Sequence, residues 1–281
     1  MEFGTAAERQ MKANEANWDA RAPVHLASQF YGVGSKEAEY WFAAHEWDDL
    51  GDVAGRDVVH LQCHLGVETV AFARRGARTV GLDFSAESLR NARRIAEGMA
   101  LDVDYVHSNV YDAVAALGGR TFDVVYTGKG ALCYLPDLTA WAQVVADLLR
   151  PGGFVYVVEF HPLLNALGTT PHEKQELLLR YDYQEGRGVW ERDATFTYTD
   201  GPRLTGATVS YEWRHGLGAV HNALVGAGLR VELLRETEEI PWPRWQDMVT
   251  TPSGWWRLPA ARPRVPLLFT MRARKSAHSE R

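Results

Sequence analysis

The chain has 281 residues, 46% of them hydrophobic and 23% charged, with a formal net charge of −6 at pH 7. This length supports a sizeable core, and an acidic balance without a run of five or more Lys and Arg argues against nucleic-acid or anionic-membrane binding. Two cysteines outside any CxxC spacing, no apolar run of membrane-spanning length and no signal peptide predict a cytoplasmic protein that binds a small molecule.

From Asp57 to Glu159, short β-branched runs alternate with helical stretches, which is typical of βαβ units and a parallel sheet. The sequence therefore predicts a doubly wound, Rossmann-like α/β fold. The predicted strands are 57–62, 78–83, 103–108, 122–127, 154–159, 229–236 and 265–273. The predicted helices are 67–75, 85–99, 138–149 and 217–227.

The remaining segments suggest additions to this core. Residues 1–50 carry many aromatic side chains and are predicted to form an N-terminal helical lid, and 161–214 an inserted β-rich substrate cap that begins with a loop. The core then comprises 51–160 and 215–275, and 276–281 is a tail. The Trp- and Pro-rich stretch from 240 to 263 is predicted to contain no regular element and to be a binding loop.

The turn after the first predicted strand reads "LQCHLG", residues 61–66. In a doubly wound sheet this turn lies where ligands bind, and glycine lets the backbone approach them. Two places where such a turn usually carries glycine hold Gln62 and His64, so only Gly66 keeps that role. A tight turn without a ligand is the alternative.

Polar residues end the next two strands. Asp83 follows Gly66 by seventeen residues, near the spacing at which an acid accepts hydrogen bonds from ribose hydroxyls. The alternative is that Asp83 or Ser85 caps the following helix. Asn109 and the main-chain N–H of Val110 could read an adenine edge, although Asn at a strand end is also ordinary turn chemistry.

Residues 57–159, with strands 229–236 and 265–273, resemble class I S-adenosylmethionine-dependent methyltransferases. The most specific stretch is "FDVVYTGKGALCYLPDLTAWAQVVADLLRPGGFVYVVE". The first motif of that family is an acidic residue followed by GxGxG, and those positions here are His60, Gln62, His64 and Gly66. "LQCHLG" resembles a variant among small-molecule, mostly bacterial methyltransferases. The resemblance implies sheet order 3-2-1-4-5-7-6 with the last strand antiparallel.

The resemblance also implies that S-adenosylmethionine is the cofactor. It assigns Asp83 to the ribose, Phe84 to packing on adenine, Asn109 and Val110 to the adenine edge, and Thr127 and Gly128 to the methionine amino group. The remaining cofactor candidates are Gln62, His64, Gly66 and, from the lid, Trp18.

Methyl transfer from a sulfonium is an in-line displacement that needs a base when the acceptor carries a proton. His161, just past the fifth strand, is the predicted base, and a loop histidine bonded to a carbonyl is the alternative. The predicted substrate-binding residues are Tyr31, His25, Trp213 and His215, the last with helix capping as its alternative. No metal site is predicted, because His60, Cys63 and His64 straddle a strand and a turn.

We therefore predict S-adenosylmethionine-dependent methyl transfer to an oxygen or nitrogen, ahead of carbon, of a small aromatic or apolar molecule, in bacterial secondary metabolism. One alternative is a regulatory protein that binds S-adenosylmethionine or S-adenosylhomocysteine without catalysis. A nicotinamide-dependent oxidoreductase is a third hypothesis, against which the two bulky side chains in the turn argue. The predicted state is a monomer or homodimer.

Overall fold

A computed structural model describes residues 3–167 and 178–277, and the parts of the predicted cap and tail at 168–177 and 278–281 lie outside these ranges. The N-terminal segment contains helices α1 (Thr5–Ala27) and α2 (Ala44–Leu50). Between these helices, Trp41 and Phe42 are buried at the end of a short 3₁₀ turn.

The following hundred residues form the predicted alternation of strands and helices. The strands are β1 (Asp57–Leu61), β2 (Arg78–Asp83), β3 (Val103–His107), β4 (Phe122–Thr127) and β5 (Leu149–Phe160). The helices are α3 (Val67–Arg74), α4 (Ala86–Gly98), α5 (Ala113–Ala116) and α6 (Leu138–Leu148).

The remaining elements complete the sheet and build the cap. They are α7 (Pro162–Ala166), β6 (Trp190–Asp193), β7 (Val209–Glu212), α8 (Leu217–Gly226), β8 (Leu229–Thr237), β9 (Glu239–Ile240), β10 (Val249–Thr250), β11 (Trp256–Arg257) and β12 (Leu268–Lys275).

Seven strands form one sheet in the order β3-β2-β1-β4-β5-β12-β8. The first five are parallel, and β12 runs antiparallel to both β5 and β8. This confirms the predicted order and the antiparallel last strand. The central strands are buried on both faces, which explains their continuous apolar sequences. One face packs on Trp141 of α6, and the other on Phe72 of α3.

Two predictions of irregular structure are wrong. Residues 162–166 form the short helix α7, because His161 accepts a hydrogen bond from the backbone N–H of Leu163 and Pro162 occupies the first helical position. Within the Trp- and Pro-rich stretch, β10 and β11 form a small sheet with β9. This sheet is held by Trp255, which is buried and donates its indole N–H to the carbonyl of Tyr40.

Helix α1 is tied to the cap by two buried asparagines. Asn14 exchanges two hydrogen bonds with the backbone of Tyr211 in β7, at 2.8 and 2.7 Å. Asn17 donates to the carbonyl of Ala207 at 2.5 Å. Because α1 also packs on α4, these bonds place the N-terminal segment and the β6–β7 hairpin over the same edge of the sheet.

A buried carboxylate at the end of β5 shapes the loop after β4. Glu159 is 6% exposed and accepts hydrogen bonds from the backbone N–H groups of Gly130, Leu132 and Phe160, at 2.6, 2.9 and 2.7 Å. Burial raises its pKa to about 7, against the opposing effect of these bonds. The protonated form is therefore favoured in the folded state relative to the unfolded chain.

We expect Glu159→Gln to lower the free energy of unfolding at neutral pH by about 1–3 kcal/mol, because an amide nitrogen would face N–H donors. Since the folded-state pKa lies above the ordinary value, the part of the stability that is linked to protonation of Glu159 is present below about pH 4.5 and lost as the pH rises through about 7. Glu159→Gln should therefore lack this loss of stability between about pH 4.5 and 7. Urea unfolding at pH 4.5 and 7.5 measures both effects, with exposed Glu97→Gln as control. Equal pH profiles for wild type and Glu159→Gln would contradict this role.

Candidate functional site

The turn after β1 has a left-handed backbone at every second residue. The φ angles are 57° at Gln62, 50° at His64 and 68° at Gly66. For a residue with a Cβ this conformation costs about 1–2 kcal/mol. The turn thus keeps at residues 62 and 64 the backbone conformation that glycine favours, and other contacts must stabilise the two side chains.

Those contacts join the turn to three other segments. Gln62 donates from Nε2 to the carbonyl of Ala131 at 2.9 Å. His64 lies 2.9 Å from Ser88 Oγ through Nδ1 and 2.9 Å from His25 Nδ1 through Nε2. His25 Nε2 in turn lies 2.5 Å from Thr197 Oγ1 in the cap. The hydrogen-bonded chain therefore runs from α4 through the turn and the lid to the cap.

Both histidines of this chain are neutral at pH 7. Burial, with Arg21 adding to it, lowers the pKa of His64 to about 3. Burial also lowers the pKa of His25 strongly, with further contributions from His64 and Arg21. Each ring then has one nitrogen that donates and one that accepts. The hydrogen bonds from Ser88 through His64 and His25 to Thr197 must therefore all run in the same direction.

Asp83 ends β2 beside this turn and is 4% exposed. Its Oδ2 accepts from the backbone N–H of His64 and its Oδ1 from that of Ser85, each at 2.8 Å. Burial raises the pKa of Asp83 to about 6 despite these bonds, so it is mostly ionised at pH 7. Because each carboxylate oxygen has two lone-pair sites, each can accept one more hydrogen bond. Ser85, the alternative candidate, does cap α4.

A cleft of about 80 Å³ lies above the carboxyl ends of β1, β2 and β4. Its floor is the turn after β1, and its roof consists of the aromatic residues Trp18, Tyr31, Tyr134 and Tyr198. The lining residues are Trp18, Tyr31, His60, Gln62, Cys63, His64, Leu65, Val67, Glu68, Asp83, Phe84, Gly128, Lys129, Gly130, Ala131, Tyr134 and Tyr198. Two roof residues, Tyr31 from the lid and Tyr198 from the cap, meet with their hydroxyls 2.5 Å apart. Ligand pockets usually enclose about 300 Å³ or more, so the roof must part to admit a nucleoside.

Most of the predicted cofactor residues come together here. Those that line the cleft are Trp18, Gln62, His64, Asp83, Phe84 and Gly128, together with the predicted substrate residue Tyr31. Gly66 lies beside them as the N-cap residue of α3, where a Cβ would lie 2.6 Å from the hydroxyl of Tyr105. Thr127 is buried one residue before the cleft, and His25 reaches it through His64.

The predicted adenine-edge residues do not line the cleft. Asn109 accepts from the backbone N–H of Tyr111 at 3.1 Å, and its amide nitrogen lies 3.7 Å from the sulfur of Met11. Val110 is buried in a 3₁₀ turn. The structure therefore shows turn chemistry at Asn109, which is the alternative that the sequence leaves open.

His161 also lies outside the cleft. Its Nδ1 accepts from the backbone N–H of Leu163 at 3.1 Å, and its Nε2 lies 2.8 Å from Oε1 of Glu236. Burial lowers its pKa, opposed by Glu236. The sequence places His161 correctly at a strand end, but its ring caps a helix and contacts a carboxylate instead of facing Asp83. This position does not support the predicted role as base.

Trp213 and His215 line two other cavities, of about 40 Å³ and about 430 Å³. The backbone N–H of Trp213 donates to the carbonyl of Cys133, and His215 Nε2 donates to that of Leu135 at 2.8 Å. Gly216, not His215, precedes α8 as its cap. The predicted substrate residues are therefore divided between the cleft and these two cavities, and the segment 130–134 separates the cleft from the smaller of the two.

Ten residues that line the cleft were not predicted as site residues, and four of these carry a carboxylate, an ammonium or a phenol group: Glu68, Lys129, Tyr134 and Tyr198. A signal existed for two of them, since Glu68 is the second residue of the helix after the turn and Lys129 follows Gly128 at the end of β4. Tyr134 ends a three-residue 3₁₀ turn and Tyr198 lies in a loop, and in neither segment does a periodicity indicate which way the side chain points.

Among the described residues, 3–167 and 178–277, no group of three or more His, Cys, Asp and Glu is arranged to hold a metal ion. His60 instead lies 2.8 Å from Thr69 Oγ1 through Nδ1. No helix in the same ranges is long and apolar enough to cross a bilayer.

Residues 59–155, about a third of the chain, match the family model described as a methyltransferase domain. A ubiquinone biosynthesis O-methyltransferase from Cronobacter sakazakii is 35% identical over 106 residues, or 38% of this chain and 43% of that protein. The chain thus spans less than half the length of that curated relative.

Solved structures extend the likeness over most of the chain. An S-adenosylmethionine-dependent methyltransferase from Mesorhizobium loti has a TM-score of 0.54 at 21% identity and covers 87% of this chain and 100% of its own. One from Clostridium acetobutylicum has a TM-score of 0.57 at 14% identity, covering 86% and 94%. The fold is therefore that of the Rossmann-like methyltransferases, as the sequence predicts.

We expect His64→Gly to loosen the lid, because it removes both hydrogen bonds of the imidazole while relaxing the left-handed backbone. Amide hydrogen exchange in residues 18–31 should become about tenfold faster. Gln62→Gly is the matched control, since it relaxes the same backbone conformation but releases Ala131 instead of the lid. Unchanged protection of the lid in His64→Gly would contradict the anchoring role of His64.

Proposed function

We propose that this protein is an S-adenosylmethionine-dependent methyltransferase that transfers a methyl group to an oxygen or nitrogen of a small aromatic molecule. The observation that carries the proposal is Asp83. A buried, mostly ionised carboxylate at the end of β2, with one accepting site left on each oxygen, is suited to the two hydroxyls of a ribose. The family match at residues 59–155 and the shared fold support the same class of enzyme.

The polar groups around Asp83 fit the rest of such a cofactor. Among the described residues, the buried indole N–H of Trp18 and the side-chain oxygen of Gln62 make no hydrogen bond, and both residues line the cleft. One unpaired donor and one unpaired acceptor suit the carboxylate and ammonium of an amino acid. S-adenosylmethionine supplies a methyl group on a sulfonium and carries no phosphate. The side chains of Gln62 and His64, which would obstruct a diphosphate, therefore do not hinder its binding.

The roof supports an aromatic acceptor. Trp18, Tyr31, Tyr134 and Tyr198 present rings to the cleft, and edge-to-face packing on such rings favours a planar apolar molecule. We propose that the Tyr31 and Tyr198 hydroxyls bind the acceptor atom. The curated relatives are O-methyltransferases by name, which favours oxygen as that atom. Because the closed roof excludes water, it also protects the displacement from hydrolysis.

The alternative of a regulatory protein without catalysis rests on the altered first motif. The left-handed backbone at Gln62 and His64 weakens that reason, since the turn keeps its conformation despite the changed side chains. Calorimetric titration with S-adenosylmethionine, S-adenosylhomocysteine and NADH, followed by a methyl-transfer assay on a panel of phenols and anilines, separates the three hypotheses. Binding without transfer to any acceptor would favour the regulator, and binding of NADH alone would favour the oxidoreductase.

Asp83→Asn should weaken S-adenosylmethionine binding about 10- to 100-fold, because the amide nitrogen replaces an acceptor of a charge-assisted hydrogen bond. In the wild type, affinity should rise as the pH increases through about 6, where Asp83 ionises, and the variant should lose this dependence. Calorimetry between pH 5 and 7.5 measures both. Asp104→Asn, at an exposed acid paired with Arg120, should bind like wild type. Equal affinity of Asp83→Asn and wild type would refute the ribose assignment.

Tyr198→Phe should raise KM for the acceptor about fivefold or more while leaving cofactor affinity unchanged, because only the hydroxyl that faces the acceptor is removed. Steady-state kinetics and calorimetry give the two values. The matched control is Tyr211→Phe, because Tyr211 also belongs to the cap but does not line the cleft. A loss of cofactor affinity in Tyr198→Phe would show that Tyr198 acts on the nucleoside side instead.

A further inference from the structure

Glu68 is the second carboxylate of the cleft and lies at the opposite side from Asp83. It is the second residue of α3, and its side chain is 16% exposed. Oε1 accepts from the hydroxyl of Tyr126 at 3.0 Å and from Nζ of Lys129 at 3.2 Å. Oε2 lies against Gly128, where an added Cβ would be only 2.8 Å away. The absence of a side chain at Gly128 therefore lets the Glu68 carboxylate reach the end of β4.

Lys129 does not neutralise this carboxylate alone, because it also serves a second one. Its Nζ lies 3.5 Å from Oε1 of Glu46, which is 1% exposed, and donates to the carbonyl of Trp41 at 2.8 Å. Burial lowers the pKa of Lys129, but Glu46 and Glu68 outweigh it and raise the pKa overall. The cluster of Glu46, Glu68 and Lys129 thus contains two carboxyl groups and one ammonium group. Burial raises the pKa of Glu46 to about 7, so this carboxyl group is only partly ionised at pH 7, and the partial surplus of negative charge favours a cation beside the cluster.

The carboxyl end of β1, next to this cluster, carries no acidic side chain. The titratable residue there is His60, which interacts electrostatically with Glu68 and Lys129. Burial lowers the pKa of His60 to about 4, so the ring is neutral at pH 7. His60 Nε2 would lie 3.3 Å from a Cβ on Gly128, beside the position that Glu68 Oε2 approaches. Glu68 therefore brings a carboxylate from the helix to the place where the strand has a neutral ring.

We propose that Glu68 binds the α-ammonium group at the methionine end of the cofactor, with Lys129 and Tyr126 as positioning residues. The proposal rests on the function proposed above. If Asp83 holds the ribose at the end of β2, the amino-acid end extends across the turn after β1 toward β4, where Glu68 lies. Lys129 and Tyr126 both bind Oε1, which leaves Oε2 directed at Gly128 and the cleft.

The test compares two ligands with the same nucleoside and thioether. S-adenosylhomocysteine has the amino-acid end, and 5′-methylthioadenosine lacks it. In calorimetric titrations, Glu68→Gln should weaken S-adenosylhomocysteine binding about tenfold or more and change 5′-methylthioadenosine binding less than about twofold. Loss of an interaction with the ligand carboxylate cannot explain this result, because removing a negative charge would strengthen that contact. Glu97→Gln, with the same change in net charge on an exposed surface, should leave both affinities unchanged.

Thermal unfolding of each variant shows whether the cluster still folds. If Glu68→Gln does not fold, Glu68→Asp keeps the charge for Lys129 and withdraws the carboxylate by one methylene, and the same selective loss is expected. Equal losses for the two ligands, or no loss for S-adenosylhomocysteine, would overturn the assignment of Glu68. Wild-type protein that binds neither ligand nor S-adenosylmethionine would instead overturn the proposed function.

Discussion

The left-handed backbone at residues 62, 64 and 66 is the constraint on which the cleft depends. It directs the N–H of His64 to the carboxylate of Asp83 and sends the side chains of Gln62 and His64 in two directions, one to the loop after β4 and the other to the lid. A residue with a Cβ holds this conformation only where surrounding contacts compensate its cost. The floor, the lid and the cap therefore stabilise one another, and a glycine in place of His64 would serve the floor but not the lid.

The sequence was sufficient for the sheet, because parallel strands buried on both faces appear as nearly continuous apolar runs separated by helical periods. It was also sufficient for the location of Asp83, since the ends of parallel strands meet at one edge. It was not sufficient for His161, because the direction of its ring is set by Glu236, which lies 75 residues further along the chain. Nor could it reveal Tyr198, whose place in the roof depends on how the cap packs against α1. Position along a strand follows from local pattern, whereas the direction of a loop side chain follows from tertiary contacts.

The charges of the cleft are arranged by burial. His60, His64 and His25 are all neutral at pH 7, although histidine in water titrates close to that pH. Among the described residues that line the cleft, the carboxylates are those of Asp83 at one side and Glu68 at the other, and Lys129 adds an ammonium group beside Glu68. In a site of low dielectric constant, such a separation orients a polar ligand more strongly than the same groups would in water.

The roof also bears on how a reaction cycle would be timed. The pair of Tyr31 with Tyr198 and the contact of His25 with Thr197 join the same two segments, and His25 continues to His64 in the floor. A motion that separates the lid from the cap on one side of the cleft must therefore also separate them on the other side. In the proposed methyl transfer, both products would depart during a single opening event, so one motion of the roof, rather than two independent release steps, would limit the rate of turnover.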